Sequence, residues 1–452
     1  MLQGTHKDAH EGTKIVITNP TTTSPEARTS GANDPGALRR QRANSGLTNL
    51  VITSVLVALA FGAGWFSNSA VNQDRYISDN NELLIHQAWQ DINQQFVVTS
   101  AINKKQMAYA AINAMTQTLN DPGHTRFETP EEYAAENNSL NNGANIGIGV
   151  SLGGGGAQPV TIEIVYPGSN ADKAGLKPGD QIVAVNGQST KGMSIDQVGV
   201  LIRATGTNEF TLAIKRPSTG KIMTFSLRRG PFTVPTVVTF YIPGTTLVDI
   251  QLTQFASDAD AKLRSALQGA ISKHVTGIIL DLRGNPGGLL DQAVDVSSEF
   301  IPYKSGENVL IVKTRSSSQD YGVQRGGLAT KIPLVILVDN GTASAAEITT
   351  GAIAVDRPGV HVIGQTTFGT GTVLYPLTLA DGSVLLLGVA EFFLPNGQSI
   401  YHHGYVPDQP VKLTGNATPL TPLVAQEETL TFAQIQHSGD TQLLKAISDL
   451  SH

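Results

Sequence analysis

The sequence predicts a mixed α+β fold with a helical N-terminal segment, a small β domain and an α/β core. Three observations predict it. Apolar residues recur at helical spacing in ELLIHQAWQDINQQF and MAYAAINAMTQTL. Short strand-like runs separated by glycine turns follow, from about 145 to 229. From 234 to 411, apolar runs such as GIILDL alternate with helix-like stretches, which is typical of α/β layers.

The first 67 residues predict where the protein resides. Residues 1–46 are polar and rich in Thr, Ser, Gly, Asn and Pro, which predicts a disordered, cytoplasmic N-terminus. Three arginines (Arg39, Arg40 and Arg42) precede the uncharged run Leu50–Phe66. We therefore predict a transmembrane signal anchor at 47–67 in the cell membrane, with all later domains extracytoplasmic. A cleaved signal peptide is the alternative, because the apolar run is short.

The next segment, 80–137, is predicted to be a helical packing region without chemistry of its own. It ends at LNDPGHTRFETPEEY, where the Asp-Pro-Gly sequence at 121–123 breaks the helix.

Composition excludes several functional classes. The chain has 452 residues, enough for about three domains, and a net charge of −6 that does not suggest nucleic-acid binding. It contains no cysteine, so disulfides and thiolate chemistry are excluded. No histidine and acidic cluster has the spacing of a zinc helix, so we expect no metal and no cofactor.

Ser344 is the candidate nucleophile. It lies in VILVDN-GTASAAEITTGAIA, where an apolar strand (Val335–Val338) leads through a turn at Gly341 into a small-residue helix. A hydroxyl at such a turn stands beside the free N–H groups and positive end of the helix. That arrangement favours acyl transfer, because it stabilises an oxyanion next to the serine. The alternative is a serine that only caps the helix.

Three further motifs surround this turn: DLRGNPGG (Asp281–Gly288), GQTTFGTGTV (Gly364–Val373) and PNGQSI…GYVPD (Pro395–Asp408). Together they resemble the C-terminal processing, or tail-specific, peptidase family, over roughly 82–408. The resemblance implies a serine endopeptidase with a Ser-Lys centre, a supporting glutamine, and a PDZ domain that receives substrate tails. The alternation of strands and helices predicts that 234–411, the peptidase-type core, is an α/β sandwich. The C-terminal tail at 412–452 carries the short amphipathic stretch TQLLKAISDL and is predicted to pack against the body.

Carried over residue by residue, the resemblance makes Ser344 the nucleophile and gives the oxyanion hole the backbone N–H groups of Gly288 and Ala345. The general-base lysine of the family falls at Thr370, and its glutamine falls at Leu374.

These two replacements put the activity in doubt. No lysine occurs between Lys331 and Lys412, so a shifted alignment does not recover one. A threonine hydroxyl has no useful basicity near neutral pH, and loss of a general base removes ~10²–10⁴ in rate. Three histidines, His361, His402 and His403, lie in the same part of the chain and are candidate replacement bases, the alternative being that each only faces solvent or packs.

Residues 145–229 resemble a PDZ domain, most strongly in the series AGLKPGD…VNG. The resemblance places the peptide carboxylate on a glycine-containing loop and the peptide chain against a strand edge. The expected peptide-binding residues are Ile146, Gly147, Ile148, Gly149 and Val150 in that loop and strand, and Val198 and Ile202 on the following helix.

Two functions of different class follow. As an enzyme, the protein would cleave near the C-termini of exported proteins, with the PDZ groove holding the tail. As an inactive pseudoprotease, it would bind such tails as an adaptor or regulator. The expected partners are protein or peptide tails and the membrane, with no nucleic acid. The oligomeric state stays open, a homo-oligomer included.

Overall fold

The computed structural model describes residues 80–121, 124–154, 156, 158–205, 209–304, 306–414, 417–425 and 430–451. The predicted disordered N-terminus and signal anchor lie outside these residues. Within them, no helix has the length and apolar character needed to cross a bilayer. The chain divides into two units, Met1–Ile102 and Asn103–His452. In the first unit, α1 (Asn80–Gln95) is followed by a short 3-10 helix, Thr99–Ala101.

The second unit begins with α2 (Lys104–Gln117), β1 (Arg126–Glu128) and α3 (Pro130–Asn142). Thr129 caps α3 in a reciprocal pair with Glu132, and the helix ends at Gly143, whose left-handed φ of 63° suits glycine.

The PDZ domain is a six-stranded antiparallel sheet with two helices. Its elements in chain order are β3 (Val150–Gly153), β4 (Thr161–Val165), α4 (Asn170–Ala174), β5 (Gln181–Val185), β6 (Gln188–Ser189), α5 (Ile195–Ala204), β7 (Phe210–Arg216) and β8 (Lys221–Leu227). The strand order is β3-β4-β5-β7-β8, with β6 paired to β5, so β3 is an edge strand. Ile162, Leu212, Ile214 and Val198 belong to its own buried core.

A separate two-stranded ribbon connects the PDZ domain to the rest of the unit. It consists of β2 (Ala144–Gly147) and β9 (Gly230–Thr233), with Ile146 opposite Pro231. Ile146 and Gly147 therefore pair within the ribbon and are not part of the PDZ sheet, whereas the sequence predicted that they belong to the carboxylate-binding loop and the strand beside it.

The core is a six-stranded sheet between two helical layers. Its strands are β10 (Val237–Tyr241), β11 (Leu247–Leu252), β12 (Gly277–Asp281), β15 (Leu334–Val338), β16 (His361–Gly364) and β19 (Gln409–Pro410), in that spatial order. All neighbours are parallel except β10 and β11.

The two faces of this sheet are covered by different helices. One face packs against α6 (Ala259–Ser272), α7 (Leu290–Ser298) and α8 (Ala345–Asp356). The other packs against the C-terminal α11 (Thr441–Leu450), which follows α9 (Pro422–Ala425) and α10 (Phe432–Gln436). Because successive strand residues point to opposite faces, Leu280 joins the first layer and Ile279 the second. The packing of the tail against the body is thus as predicted.

A second, five-stranded sheet completes the core. It contains β13 (Asn308–Lys313), β14 (Ser318–Gly322), β17 (Thr372–Thr378) and β18 (Val384–Phe393), together with β1. The turn at Asp381-Gly382, a dipeptide typical of hairpin turns, joins β17 and β18 as an antiparallel hairpin. Because β1 and β17 both pair with β18, a strand from the predicted helical region joins the same sheet as the residues that follow Thr370.

Candidate active site

Ser344 occupies a strained turn at the carboxyl end of β15. Its φ of 53° and ψ of −119° are unfavourable for a residue with a Cβ, and it is the N-cap of α8. The turn is held by the buried carboxylate of Glu347, whose Oε2 accepts the backbone N–H of Ser344 at 2.9 Å. Strain of this kind, supported by neighbouring contacts, is typical of functional turns.

The DLRGNPGG loop brings two N–H groups beside this serine. Gly288 has a φ of 142°, and a Cβ on it would lie 2.4 Å from the carbonyl oxygen of Phe255. A Cβ on Gly287 would lie 2.7 Å from the Cβ of Ser344, so the loop backbone touches the nucleophile. Within the described residues, the backbone N–H groups of Gly288 and Ala345 donate no hydrogen bond. Both are therefore available to an oxyanion.

Hydrogen bonds join the loop to the nucleophile turn. The N–H of Ala343 donates to the carbonyl of Asn285 at 2.9 Å, and the N–H of Gly284 donates to Asp339 Oδ1 at 2.9 Å. The Asn285 side chain is fully buried and donates to the carbonyl of Leu252 at 2.7 Å. The two halves of the expected oxyanion hole are thus fixed to each other before any substrate binds.

Thr370 lies against the same carboxylate. Its N–H donates to Glu347 Oε2 at 2.9 Å, and the N–H of Gly369 donates to Oε1 at 2.8 Å. The Thr367 hydroxyl also donates to Oε1. Burial raises the pKa of Glu347, while these hydrogen bonds act in the opposite direction. The segment that carries the lysine of the family is therefore in place, but Thr370 supplies no amine.

Leu374 lies further along β17, where a bulge between Val373 and Leu374 shifts the register with β18. Its aliphatic side chain cannot orient a base.

The three histidines singled out from the sequence do not reach the Ser344 hydroxyl by a hydrogen bond. His361 lies at the start of β16, opposite Val335, and pairs with Asp408 at 2.7 Å. Ser344 follows the carboxyl end of β15, whereas His361 lies beside its amino end. The two residues are therefore at opposite ends of the parallel strands. His402 and His403 have exposed side chains, although the N–H of His402 donates to the carbonyl of Gly369 at 2.9 Å.

Another histidine lies closer to the Thr370 segment. His124 is largely buried, and its Nδ1 is 2.5 Å from the hydroxyl oxygen of Thr372. The Thr372 hydroxyl in turn lies 3.2 Å from Asp121 Oδ2. The histidine stands in the sequence Gly-His-Thr directly after Asp121-Pro122, but we expected only packing from this region. The pairing across about 250 residues of sequence has no local signature.

The expected PDZ residues divide into three groups. Val198 and Ile202 are buried in the domain core, so α5 turns them inwards and the expectation that they contact a peptide is not supported. Ile148 is also buried, and its carbonyl accepts the N–H of Ala171. Gly149 and Val150 lead into the edge strand β3.

The side chains of α5 that do line a surface hollow are different ones. They are Gln197, Val200 and Leu201, together with Met193 just before the helix. The residues that line the hollow, such as Gln197 and Leu201, are one position before Val198 and Ile202 on the helix. The sequence pattern shows which positions are apolar, but it does not show which of them are buried in the core.

A cavity of about 260 Å³ lies between the PDZ domain, the DLRGNPGG loop and the C-terminal tail. Glu163 of β4 and Asp339 of the nucleophile turn both line it. Burial, and then the charge of Asp339, raise the pKa of Glu163. In the described part of the chain, no group of three His, Asp or Glu side chains is placed to hold a metal ion.

Comparisons with known proteins agree with this architecture. The profile of peptidase family S41 matches residues 247–411, and a PDZ domain profile matches 161–216. The carboxy-terminal processing protease CtpA of Bacillus subtilis (strain 168) is 33% identical over 370 residues, which cover 80% of this chain and 76% of that protein. The carboxyl-terminal-processing protease of Synechocystis sp. is 31% identical over 379 residues, covering 82% and 84% of the two chains.

A solved structure has the same fold. The photosystem II D1 C-terminal processing protease aligns with a TM-score of 0.51 and 25% identity, over 79% of this chain and 97% of that one. These matches cover 79–82% of the chain, so they are not confined to one module. The chain therefore belongs to the carboxy-terminal processing proteases of peptidase family S41.

Proposed function

We propose that this protein is a serine endopeptidase that cleaves near the C-termini of exported proteins. One observation carries the proposal: the strained Ser344 lies beside two backbone N–H groups, those of Gly288 and Ala345, that make no hydrogen bond within the described residues. A serine that served only to cap a helix would need neither the strain nor the pre-aligned loop.

The chemistry assigned to these groups is acyl transfer. The Ser344 oxygen attacks the scissile carbonyl, and the resulting oxyanion accepts hydrogen bonds from Gly288 and Ala345. The positive end of α8 stabilises the same charge. Departure of the amine leaves an acyl-enzyme, which water then hydrolyses.

Tail capture is assigned to the PDZ domain. The free outer edge of β3 supports addition of an extended peptide as a further strand, and the hollow beside Val200 and Leu201 would take an apolar side chain. The cavity between the domain and the DLRGNPGG loop lies where a captured tail would approach the core. We also retain the membrane anchor at 47–67 and the extracytoplasmic location as part of this proposal, supported by the sequence pattern alone.

The test is a cleavage assay with an unstructured protein that ends in apolar residues. The full-length chain is compared with Ser344→Ala, which removes the hydroxyl and leaves a small residue at the turn. We expect cleavage near the C-terminus by the native chain only. Cleavage that persists in Ser344→Ala would reject Ser344 as the nucleophile.

Carboxylate capture has its own test by calorimetry. A peptide with a free C-terminal carboxylate should bind, whereas its amide should bind at least tenfold more weakly, because the amide removes the charge that backbone N–H groups would receive. Equal affinity for both peptides would contradict capture through the terminus.

The second candidate is a pseudoprotease that binds tails without cutting them. The specific observation in its favour is that Thr370 and Leu374 occupy the positions of the lysine and glutamine of the family. Tight binding of the free-acid peptide with no cleavage would favour this candidate.

A further inference from the structure

A buried histidine lies next to the segment that lacks its lysine. The His124 side chain is 13% exposed and its Nδ1 is 2.5 Å from Thr372 Oγ1. Asp121 Oδ2 accepts the hydroxyl of Thr372 at 3.2 Å and the hydroxyl of Thr125 at 2.6 Å. The cluster therefore consists of an imidazole, two hydroxyls and one carboxylate, shielded from solvent.

These contacts indicate which ring nitrogen carries the proton. The Thr372 hydroxyl lies within hydrogen-bonding distance of both Asp121 Oδ2 and His124 Nδ1. With its proton directed to Asp121, its oxygen accepts from His124, and we assign the ring proton to Nδ1. The Nε2 atom is left with a free lone pair and makes no hydrogen bond within the described residues. An imidazole held at Nδ1 and open at Nε2 has the arrangement needed in a general base.

A short series of contacts connects the cluster to the turn that carries Ser344. The backbone nitrogens of Ser344 and Thr370 are each 2.9 Å from the same oxygen, Glu347 Oε2, so they lie within twice that distance of each other. Thr372 is two residues beyond Thr370, at most ~7 Å of extended chain.

Other candidate bases are less well placed. His361 lies at the opposite end of the parallel strands, and within the described residues no carboxylate orients His402 or His403. The Glu347 carboxylate is used by four donors. His124 alone in this set combines burial, an orienting partner and a free lone pair.

We propose that His124 is the general base of this protease, oriented by Thr372 and Asp121 in place of the missing lysine. The Ser344 proton moves to Nε2 as the serine oxygen forms its bond to the substrate carbonyl carbon. The imidazolium then gives that proton to the amine nitrogen as the C–N bond breaks. A water molecule repeats the sequence and releases the acid. No hydrogen bond joins His124 to Ser344 in the substrate-free structure, so the transfer takes place through one bridging water or after the substrate draws the groups together.

The charges around His124 fit this role. Burial lowers its pKa to about 4, with Asp121 and Glu136 acting to raise it and Arg126 to lower it. The ring is therefore neutral near pH 7, and the charges of Asp121 and Glu136 favour the imidazolium that forms when it accepts a proton. This inference rests on the proposed peptidase function, but it can be tested separately from it.

The test uses a fluorophosphonate probe, which forms a bond from Ser344 Oγ to phosphorus with loss of fluoride and needs no peptide tail. Labelling rates are measured on the full-length chain, on His124→Gln and on the matched control His403→Gln, whose ring is exposed. We expect His124→Gln to label at least 100-fold more slowly and His403→Gln to label at the native rate. Added imidazole should restore labelling of His124→Ala, which a purely structural defect would not allow.

Three results would overturn the inference: native-rate labelling of His124→Gln, equal loss in His403→Gln, or no labelling of the native chain at Ser344. Should His124→Gln fail to fold, Thr372→Val takes its place, since it keeps the ring but removes the acceptor of Nδ1–H. A loss of about tenfold is then expected, and a native rate would again reject the base.

The cleavage assay run in parallel separates the two proposals. Labelling that depends on His124 without any tail cleavage would uphold this inference and reject the peptidase function. Tail cleavage that needs Ser344 but persists in His124→Gln would do the reverse.

Discussion

A serine hydroxyl reacts only when a neighbouring atom accepts its proton, and at position 370 the side chain offers a weakly basic hydroxyl. The remaining parts of the acyl-transfer site do not depend on that side chain. Thr370 binds Glu347 through its backbone N–H, which any residue except proline would provide. The site can therefore keep its architecture while the identity of its base changes.

We predict that a lysine at position 370 can restore a general base to this site. In a His124→Gln background, Thr370→Lys together with Leu374→Gln should raise Ser344 labelling at least tenfold over His124→Gln alone. The physical reason is that the backbone at 367–370 already lies against the nucleophile turn. Thr370→Met with Leu374→Gln is the matched control, since it adds bulk without an amine. Equal rates in both variants would show that other parts of the site are defective.

Single residues within local motifs could be predicted from the sequence, whereas contacts between residues far apart in the sequence could not. Ser344, Gly288 and Ala345 lie in local patterns that determine a turn, so their placement could be predicted. His124 could not be predicted, because the residue that orients it lies 248 positions away, and the two come together through the pairing of both β1 and β17 with β18.

At the scale of single elements, the oxyanion loop depends on a backbone that only glycine adopts easily. Gly288→Ala would place a Cβ 2.4 Å from the Phe255 carbonyl oxygen, so the loop must move and its N–H must leave the site. We expect Ser344 labelling to fall ~10²–10³-fold, the usual effect of losing an oxyanion donor.

The matched control for this loop is Gly284→Ala. Gly284 also has a positive φ, of 66°, but a Cβ there would meet no atom within 4 Å. This variant should lose some stability and keep most of its labelling rate. Equal loss of labelling in the two variants would indicate general loop strain rather than a displaced donor.

The C-terminal tail also stabilises the DLRGNPGG loop, through Arg283. Arg283 is 3% exposed and forms ion pairs with both Asp281 and Asp440. Its Nη1 lies 2.7 Å from Asp440 Oδ2. Asp440 is also the N-cap of α11. Burial of a charge is tolerated only when the charge is paired and hydrogen-bonded. The tail is therefore a structural component of the catalytic core, although it lies beyond the segment that matches the family profile.

Asp440→Ala should accordingly lower the free energy of unfolding by ~3–5 kcal/mol, because it leaves part of the buried guanidinium unpaired. The measurement is chemical denaturation of the full-length chain. Lys304→Ala, which breaks the surface pair with Glu307, serves as the control and should cause no measurable change. A small effect at Asp440 would show that Gln442, 3.3 Å from Arg283 Nη1, compensates.

Strand pairs that are joined by a short turn could be predicted from the sequence, whereas pairs that are distant in the chain could not. The hairpin around Asp381-Gly382 was predictable because the turn chemistry is local. The ribbon of β2 and β9 was not, since its strands are separated by the whole PDZ domain. For the same reason Ile146 and Gly147 were predicted to belong to the carboxylate-binding loop and the strand beside it, although they pair with Pro231 and Gly230.

At the scale of the whole molecule, the cavity between the PDZ domain and the core brings together two carboxylates from different domains. Glu163 belongs to the PDZ strand β4, and Asp339 holds the nucleophile turn by accepting the N–H of Gly284 and of Gly341. Their mutual repulsion acts across the boundary along which a captured tail would approach Ser344. The charge state of this pair therefore affects how firmly the two domains are joined.

We predict that Glu163→Gln stabilises the protein at pH 7.5 and not at pH 4. Burial and the charge of Asp339 raise the pKa of Glu163 in the folded protein. The protonated carboxyl therefore contributes to stability, and this stability is fully present below the unfolded-state pKa. It is lost as the pH rises through the folded-state pKa. Thermal unfolding between pH 4 and 8 measures this directly, with Glu209→Gln on the exposed PDZ surface as the control. The melting temperatures of native and Glu163→Gln proteins should separate as the pH rises, whereas parallel curves would show that the two carboxylates do not interact across the domain boundary.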